Sequence, residues 1–93
     1  MADELEFDWD DVNRKHLAAH QVTVSEFEEV LRNNPIDLDF SVVNGEDRYR
    51  SAGLTLSGRL LTVAWTIRGD RVRAITAFPA TATTRRKFLE KLR

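Results

Sequence analysis

The chain contains no cysteine among its 93 residues. Without thiols it forms no disulfide framework, no thiolate nucleophile and no cysteine-type zinc site. It also lacks any apolar run near the roughly 20 residues that cross a bilayer. The segment from Met1 to Asp11 is acidic, which is the opposite of a signal or transit peptide. These absences predict a cytoplasmic protein that does not engage a membrane.

Acidic and basic residues are sorted into the two halves of the chain. Residues 1–47 carry thirteen Asp and Glu against three Lys and Arg, a balance of −10. Residues 48–93 carry eleven Lys and Arg against two acids, a balance of +9, so the two halves sum to the formal net charge of −1. A near-neutral total therefore hides a basic half that can attract phosphates.

The length and the hydrophobic content of 42% suit one modest core, so we expect a single domain over residues 1–93. Apolar and acidic residues alternate over residues 5–10, which is typical of a short half-buried strand. From about Asp10 to His20 the apolar and histidine positions recur at helical spacing. Thr23 and Glu26 then form a capping box that opens a second helix, and the proline after Asn33-Asn34 ends it.

The rest of the chain reads as an antiparallel sheet followed by a basic helix. Alternating apolar positions predict strands over 36–42, 47–56, 61–67 and 71–78. The third of these has apolar neighbours on both faces and is expected to be central, and Asn44-Gly45 is the clearest tight turn. The helix is predicted from Ala82 to Leu92 with Phe88, Leu89 and Leu92 facing inward. This order favours an α+β fold, a sheet with its helices packed on one side.

Several short motifs follow one another along the chain with a characteristic spacing. They are Phe7-x-Trp9-Asp10-x-x-Asn13-x-x-His16-x-x-x-His20-x-Val22, Glu26-x-Glu28-Glu29-Val30, Arg48-Tyr49, Gly53, Gly58-Arg59-Leu60-Leu61 and Arg68-Gly69-Asp70-Arg71-Val72-Arg73. From Phe7 to Leu89 the chain thus resembles the BrnT family, the toxins of bacterial type II toxin–antitoxin systems.

The resemblance implies a RelE-like α+β fold, with one antiparallel sheet, two N-terminal helices and one C-terminal helix. It also implies ribonuclease activity that arrests growth and neutralisation by a BrnA-like antitoxin protein, with RNA as the substrate. Operator DNA would be contacted only through the antitoxin. No cofactor is expected, and a dimer or a heterotetramer with the antitoxin is compatible with this reading.

Metal-free RNA cleavage needs a group that takes the 2′-hydroxyl proton, a group that protonates the leaving oxygen, and cations around the phosphorane. Imidazole suits both proton transfers near neutral pH, and the two histidines lie four residues apart on one predicted helical face. The arginines of two strands fall in pairs on one face of each and could form a guanidinium patch. The catalytic candidates are His16, His20, Arg48 and Arg73, and the candidates for binding RNA phosphate are Arg50, Arg59, Arg71, Arg85 and Arg86.

Structural roles remain the alternatives for these residues. The histidines could pack beside Val12 on the inner face of the first helix, and the strand arginines could pair with acids of the N-terminal half. Arg85-Arg86-Lys87 is more often a solvated helix face, and Trp9 and Trp65 are most simply core anchors. A metal site is not predicted, because two histidines four apart lack a third ligand.

One departure from the family pattern supports a second hypothesis. Family members commonly carry Ser-Ala-Arg at the end of the last strand, where this chain has Thr76-Ala77-Phe78. The chain could therefore be a catalytically weakened member that acts as an antitoxin-binding, non-enzymatic module. A third hypothesis, nucleic-acid binding without cleavage, ranks below both because no helix-turn-helix, zinc-finger or ribbon motif is visible.

Overall fold

The computed structural model describes residues 5–92. Its elements are β1 (Phe7–Asp8), α1 (Asp11–Ala18), α2 (Val24–Arg32), β2 (Ile36–Val43), β3 (Glu46–Leu54), β4 (Leu60–Arg68), β5 (Arg71–Pro79) and α3 (Ala82–Lys91). The predicted order of strands and helices is confirmed over this range. The beginning of the predicted acidic segment, residues 1–4, lies outside the described residues.

The five strands form one sheet in the order β1-β5-β4-β3-β2. β4 lies in the middle, as predicted, and its residues 60–64 are all buried because both faces are covered. β2, β3, β4 and β5 pair antiparallel, whereas β1 pairs parallel with β5, Phe7 opposite Val72 and Asp8 opposite Arg73. The sheet is therefore mostly antiparallel. A parallel pair needs a long connection, and here residues 9–70 lie between the two strands.

Both N-terminal helices begin with reciprocal capping hydrogen bonds. The Thr23 hydroxyl accepts from the Glu26 N–H and Glu26 Oε1 accepts from the Thr23 N–H, both at 3.0 Å, which confirms the predicted capping box. Asp10 and Asn13 form a second one at the start of α1, with both bonds at 2.9 Å. An N-cap of this type stabilises a helix by about 1 kcal/mol. These caps fix where the chain leaves β1 and where it enters α2.

The main core lies between the sheet and the first two helices. Phe27 is fully buried in its centre, and the Trp9 ring meets it edge-on with centroids 5.5 Å apart. α2 approaches β3 closely at Gly53, where a Cβ atom would lie 3.2 Å from Val30 Cγ1 and 3.3 Å from Pro35. The buried members of this core are Leu17, Val22, Phe27, Val30, Leu31, Leu61, Val63, Val72, Ala74 and Ala77.

α3 covers the opposite face of the sheet, so the expectation that all helices pack on one side is not confirmed. Side chains alternate along β3, which places Ala52 away from the α2 side, and yet Ala52 is fully buried. α3 contacts β3 and inserts Phe88, which is 4% exposed and stands outside the main core. The prediction that Leu89 and Leu92 face inward is wrong, since they are 54% and 64% exposed. A helix seated over one strand buries only a narrow stripe.

Candidate active site

α1 lies along the part of β5 that β1 does not reach. β1 pairs with β5 only as far as Arg73, and α1 begins directly after it and contacts β5. The register between β4 and β5 shifts here and leaves Ile75 without a partner on β4. His16 Nδ1 is 3.2 Å from the Ile75 carbonyl oxygen. Because a carbonyl only accepts, Nδ1 carries the hydrogen in this contact, which leaves Nε2 to exchange protons.

A small cleft of about 140 Å³ opens beside this contact. It joins the first turns of α1, the start of β3 and the facing ends of β4 and β5. Two of the four predicted catalytic residues, His16 and Arg73, lie in it together. The residues that line it are Val12, Asn13, His16, Glu46, Thr66, Arg73, Ala74 and Ile75.

Arg73 is held by two carboxylates at the base of the cleft, and its side chain is 17% exposed. Its Nη2 donates to Asp10 Oδ2, and its Nη1 lies 3.6 Å from Asp8 Oδ2. The parallel register sets Asp8 directly opposite Arg73. The Asn13 backbone N–H, together with the Arg73 guanidinium, lowers the pKa of Asp10 below its ordinary value.

Arg48 does not line the cleft itself and is linked to it only by an ion pair with Glu46. Its Nε donates to Glu46 Oε1 at 3.0 Å, and Glu46 itself lines the cleft. The Thr66 hydroxyl donates to the Asp47 carbonyl and ties this end of β3 to β4. Arg48 therefore lies at the rim as half of an ion pair and not as a free cation.

The remaining predicted arginines of the sheet and its turns are also paired with acids of the N-terminal half. Arg50 donates to Asp39 through both Nε and Nη2, with Nη2 2.6 Å from Oδ2. Arg59 Nη1 donates to Glu26 at 3.1 Å. Arg71 Nε lies 3.9 Å from a Glu6 carboxylate oxygen. Exposed pairs of this kind contribute about 0–1 kcal/mol each. The guanidinium groups thus lie in separate ion pairs instead of one open patch.

His20 and the cations of α3 lie elsewhere. α1 ends at Ala18, so His20 falls in the following turn, where its ring centroid is 5.9 Å from that of Phe78. His20 does not line the cleft. Arg85 and Arg86 border a separate surface hollow of about 490 Å³ on α3.

Sequence reasoning missed several residues that build the cleft. Asp10 and Asn13 carried a usable signal, because an acidic residue followed three positions later by an amide is a capping pattern. Glu46 and Thr66 carried no such signal, since only the sheet register brings them to His16.

Within residues 5–92, no three His, Cys, Asp or Glu side chains converge in a way that would hold a metal ion.

Comparison with known families identifies the class of the protein. A family model described as the ribonuclease toxin, BrnT, of type II toxin–antitoxin systems matches residues 9–83. The chain is thus a toxin of the ribonuclease class. Within that class it belongs to the BrnT family, which confirms the resemblance seen in the sequence.

The matched range includes every residue of the cleft and ends at the second residue of α3, so Arg85 and Arg86 lie beyond it. Among curated proteins, no sequence matches the chain. No helix in the described part of the chain is long and apolar enough to cross a membrane.

Three capped or paired carboxylates predict how stability depends on pH. The pKa of Asp10 is lowered by the Asn13 N–H, that of Glu26 by the Thr23 N–H and that of Asp39 by the Arg50 side chain. A carboxyl whose pKa is lower in the folded protein than in the unfolded chain stabilises the fold at any pH above its ordinary pKa, which is 3.8 for Asp and 4.5 for Glu. This stabilisation is lost as the pH falls from the ordinary pKa through the lower pKa of the folded state. Melting temperatures should therefore be flat near neutrality and fall below about pH 4.

Thermal unfolding followed by circular dichroism between about pH 7 and pH 3 measures this dependence. Asp10→Asn removes one of the three carboxylates and should make the acid fall shallower, whereas Asp70→Asn, on an exposed turn, should leave its slope unchanged. An unaltered slope in Asp10→Asn would contradict the assignment.

Proposed function

We propose that this chain is an endoribonuclease toxin that cleaves RNA without a metal ion, with His16 and Arg73 at the centre of its active site. The observation that carries the proposal is their meeting in one cleft, although they come from the first helix and the last strand. An imidazole with a fixed Nδ1 and a guanidinium nearby supply proton transfer and phosphate binding, which are the two needs of this chemistry.

The cleft offers two groups for moving protons. In the proposed reaction the Glu46 carboxylate takes the proton of the 2′-hydroxyl, and the 2′-oxygen attacks phosphorus. His16 Nε2–H gives its proton to the 5′-oxygen as the P–O5′ bond breaks. The products are a 2′,3′-cyclic phosphate and a free 5′-hydroxyl, and proton exchange with water restores both groups. Arg48 orients the Glu46 carboxylate through its 3.0 Å bond.

Arg73 holds the phosphate in this scheme by exchanging one of its carboxylates. Its contact with Asp10 is a close hydrogen bond, whereas Asp8 lies 3.6 Å from Nη1 and is the weaker partner. A phosphate oxygen can therefore replace Asp8 while Asp10 keeps the guanidinium in place. Charge-assisted bonds from arginine to phosphate are stronger than neutral ones, which favours this exchange.

Two experiments without antitoxin test the proposal directly. Expression of the chain alone in a bacterial host should arrest growth. The purified protein should cut a single-stranded RNA in the presence of EDTA and give 2′,3′-cyclic phosphate ends. Cleavage that EDTA stops and Mg²⁺ restores would overturn metal independence. Intact RNA in the presence of folded protein would overturn the enzyme assignment and leave the second candidate below.

The partners follow from the toxin class. We propose a BrnA-like antitoxin as the binding partner and cytoplasmic RNA as the substrate, with operator DNA reached only through the antitoxin and a dimer or heterotetramer as the complex. Membership in a family of two-protein systems supports the partner. The arginines outside the cleft remain candidates for contacting RNA phosphates along the bound strand, and these are Arg50, Arg59, Arg71, Arg85 and Arg86.

A second candidate function is an antitoxin-binding module that has lost most of its cleavage. Two observations favour it. The predicted sheet arginines are all occupied by carboxylates, and Phe78 stands beside His20 at the end of β5 where the family commonly has arginine. An apolar ring at that position cannot meet a phosphate.

Phe78→Arg separates the two candidates. If Phe78 has weakened the enzyme, the variant should cleave RNA at least about tenfold faster than its parent, because it adds one charge-assisted contact to phosphate. The measurement is the initial rate on a labelled RNA oligonucleotide. Phe78→Leu is the matched control, since it removes the ring without adding charge, and should show no gain. A parent that already cleaves efficiently would dispose of the second candidate.

A further inference from the structure

The free edge of the sheet carries an apolar surface that no described element covers. β2 is the last strand of the sheet, so one side of its backbone has no partner among residues 5–92. Phe40 is 54% exposed and Val42 58%, in the run that follows the register shift near Asp39. Natural edge strands are usually blunted by charge, proline or a bulge, and the run from Phe40 to Val43 has none of these.

The apolar surface continues from β2 onto the next two strands. Phe40 is paired with Tyr49, and Tyr49 with Trp65, so the three rings lie side by side on one face. Their centroids are 5.1 Å and 4.5 Å apart. A hollow of about 480 Å³ borders these rings. We call Phe40, Val42, Tyr49 and Trp65 the aromatic edge.

The charge around the aromatic edge is negative. Arg50 is neutralised by Asp39 and Arg48 by Glu46, so neither cation is free. Asp37 on β2 and Asp47 on β3 are exposed and form no ion pair within the described residues. Lys87 of α3 borders the same hollow as Asp37 and offsets one of these two charges, so a local excess of one negative charge remains. A second copy of the chain would bring the same negative edge against itself. A segment with basic and apolar residues complements it instead.

We propose that the aromatic edge binds the antitoxin, which adds an extended, basic and apolar segment to β2 as a sixth strand. The identity of the partner rests on the proposed function, whereas the place and chemistry of docking rest on the edge itself. Backbone hydrogen bonds along β2 supply affinity, and side chains that alternate on the added strand reach the aromatic rings. Exposed Asp37 and Asp47 favour lysine or arginine at the flanks of that segment.

The test uses the full chain and the protein encoded by the neighbouring reading frame as the proposed antitoxin, with dissociation constants measured by titration calorimetry. Phe40→Lys removes an apolar anchor and adds a charge that repels a basic segment, so binding should weaken at least about tenfold. Leu89→Lys on α3 is the matched control, because Leu89 is also 54% exposed, and its binding should change less than about twofold. Melting temperatures of both variants show that they are folded.

Three other measurements can contradict binding of the antitoxin at the aromatic edge. Weaker binding in Leu89→Lys with no change in Phe40→Lys would place the antitoxin on α3. Concentration-dependent dimers of the free chain that Phe40→Lys abolishes would assign the edge to a second copy. Amide hydrogen exchange should show new protection over residues 38–43 in the complex, and protection confined to other segments would overturn strand addition.

RNA cleavage by the same variants keeps this inference separate from the proposed function. Phe40 lies outside the cleft, so Phe40→Lys should cleave RNA as its parent does. A chain without cleavage whose Phe40→Lys variant still loses the antitoxin would refute the enzyme assignment and retain the docking surface. A chain that cleaves RNA but forms no complex with the neighbouring protein would support the enzyme assignment and refute the docking surface.

Discussion

His16→Ala should lower RNA cleavage by about 100-fold or more, because it removes a proton-transfer group from the cleft. The loss should appear in the chemical step, measured as the single-turnover rate at saturating protein with a labelled RNA. Folding should be nearly unchanged, since His16 is exposed and its contact to the Ile75 carbonyl is its one hydrogen bond in the described structure. Growth arrest on expression should disappear with the cleavage.

His20→Ala is the control for this prediction. It removes the same side chain from the same region, but His20 lies in the turn after α1 beside Phe78 and not in the cleft. Its cleavage rate should stay within about threefold of the parent, as for a surface residue outside the site. Equal losses in the two variants would show that both histidines take part and that the cleft is not the whole site.

Arg73→Ala should have the second large effect, a loss of about 100-fold or more in cleavage, because the phosphorane then lacks its main cation. The variant should also melt at a lower temperature, since Asp8 and Asp10 remain side by side without the guanidinium between them. Stability and activity are therefore both measured, by thermal unfolding and by single-turnover cleavage. Arg73→Lys keeps the charge but cannot bridge two carboxylates, and it should recover only part of the activity.

Two further variants separate the catalytic loss from the structural one. Asp8→Asn combined with Arg73→Ala relieves the repulsion and should regain melting temperature without regaining cleavage. Arg32→Ala breaks an ion pair with Glu28 outside the cleft and should leave cleavage within about twofold of the parent. If cleavage returned together with stability in the double variant, Arg73 would be a structural residue only.

Local signals predicted most of the elements of this fold. The alternation of apolar residues located four strands, and the capping box at Thr23 located the start of α2. The Asn44-Gly45 turn has φ values of 51° and 78°, as a tight hairpin of this sequence requires. Each of these features depends on residues a few positions apart, which is why one sequence suffices to find them.

The lining of the cleft was predicted only in part, and the reason lies in where α1 ends. Spacing of four residues put His16 and His20 on one helical face, but the helix stops at Ala18 and the chain turns at Gln21 with φ of 59°. His16 therefore reaches the cleft and His20 does not. No signal near Glu46 in the sequence marks it as part of the cleft, because Glu46 comes there through the pairing of β3 with β4 and of β4 with β5.

By itself, the sequence determined the element order, the helix caps, the hairpin turns and the membership in the BrnT family, since these follow from short-range pattern and from the spacing of motifs. Only the tertiary structure decided that β1 joins β5 in parallel, that α3 covers the second face of the sheet, and which arginine meets which carboxylate. The separation of acidic and basic residues into two halves of the chain predicts that ion pairs will form between the halves. Which pairs form depends on strand register, and register is fixed by packing between residues far apart in sequence.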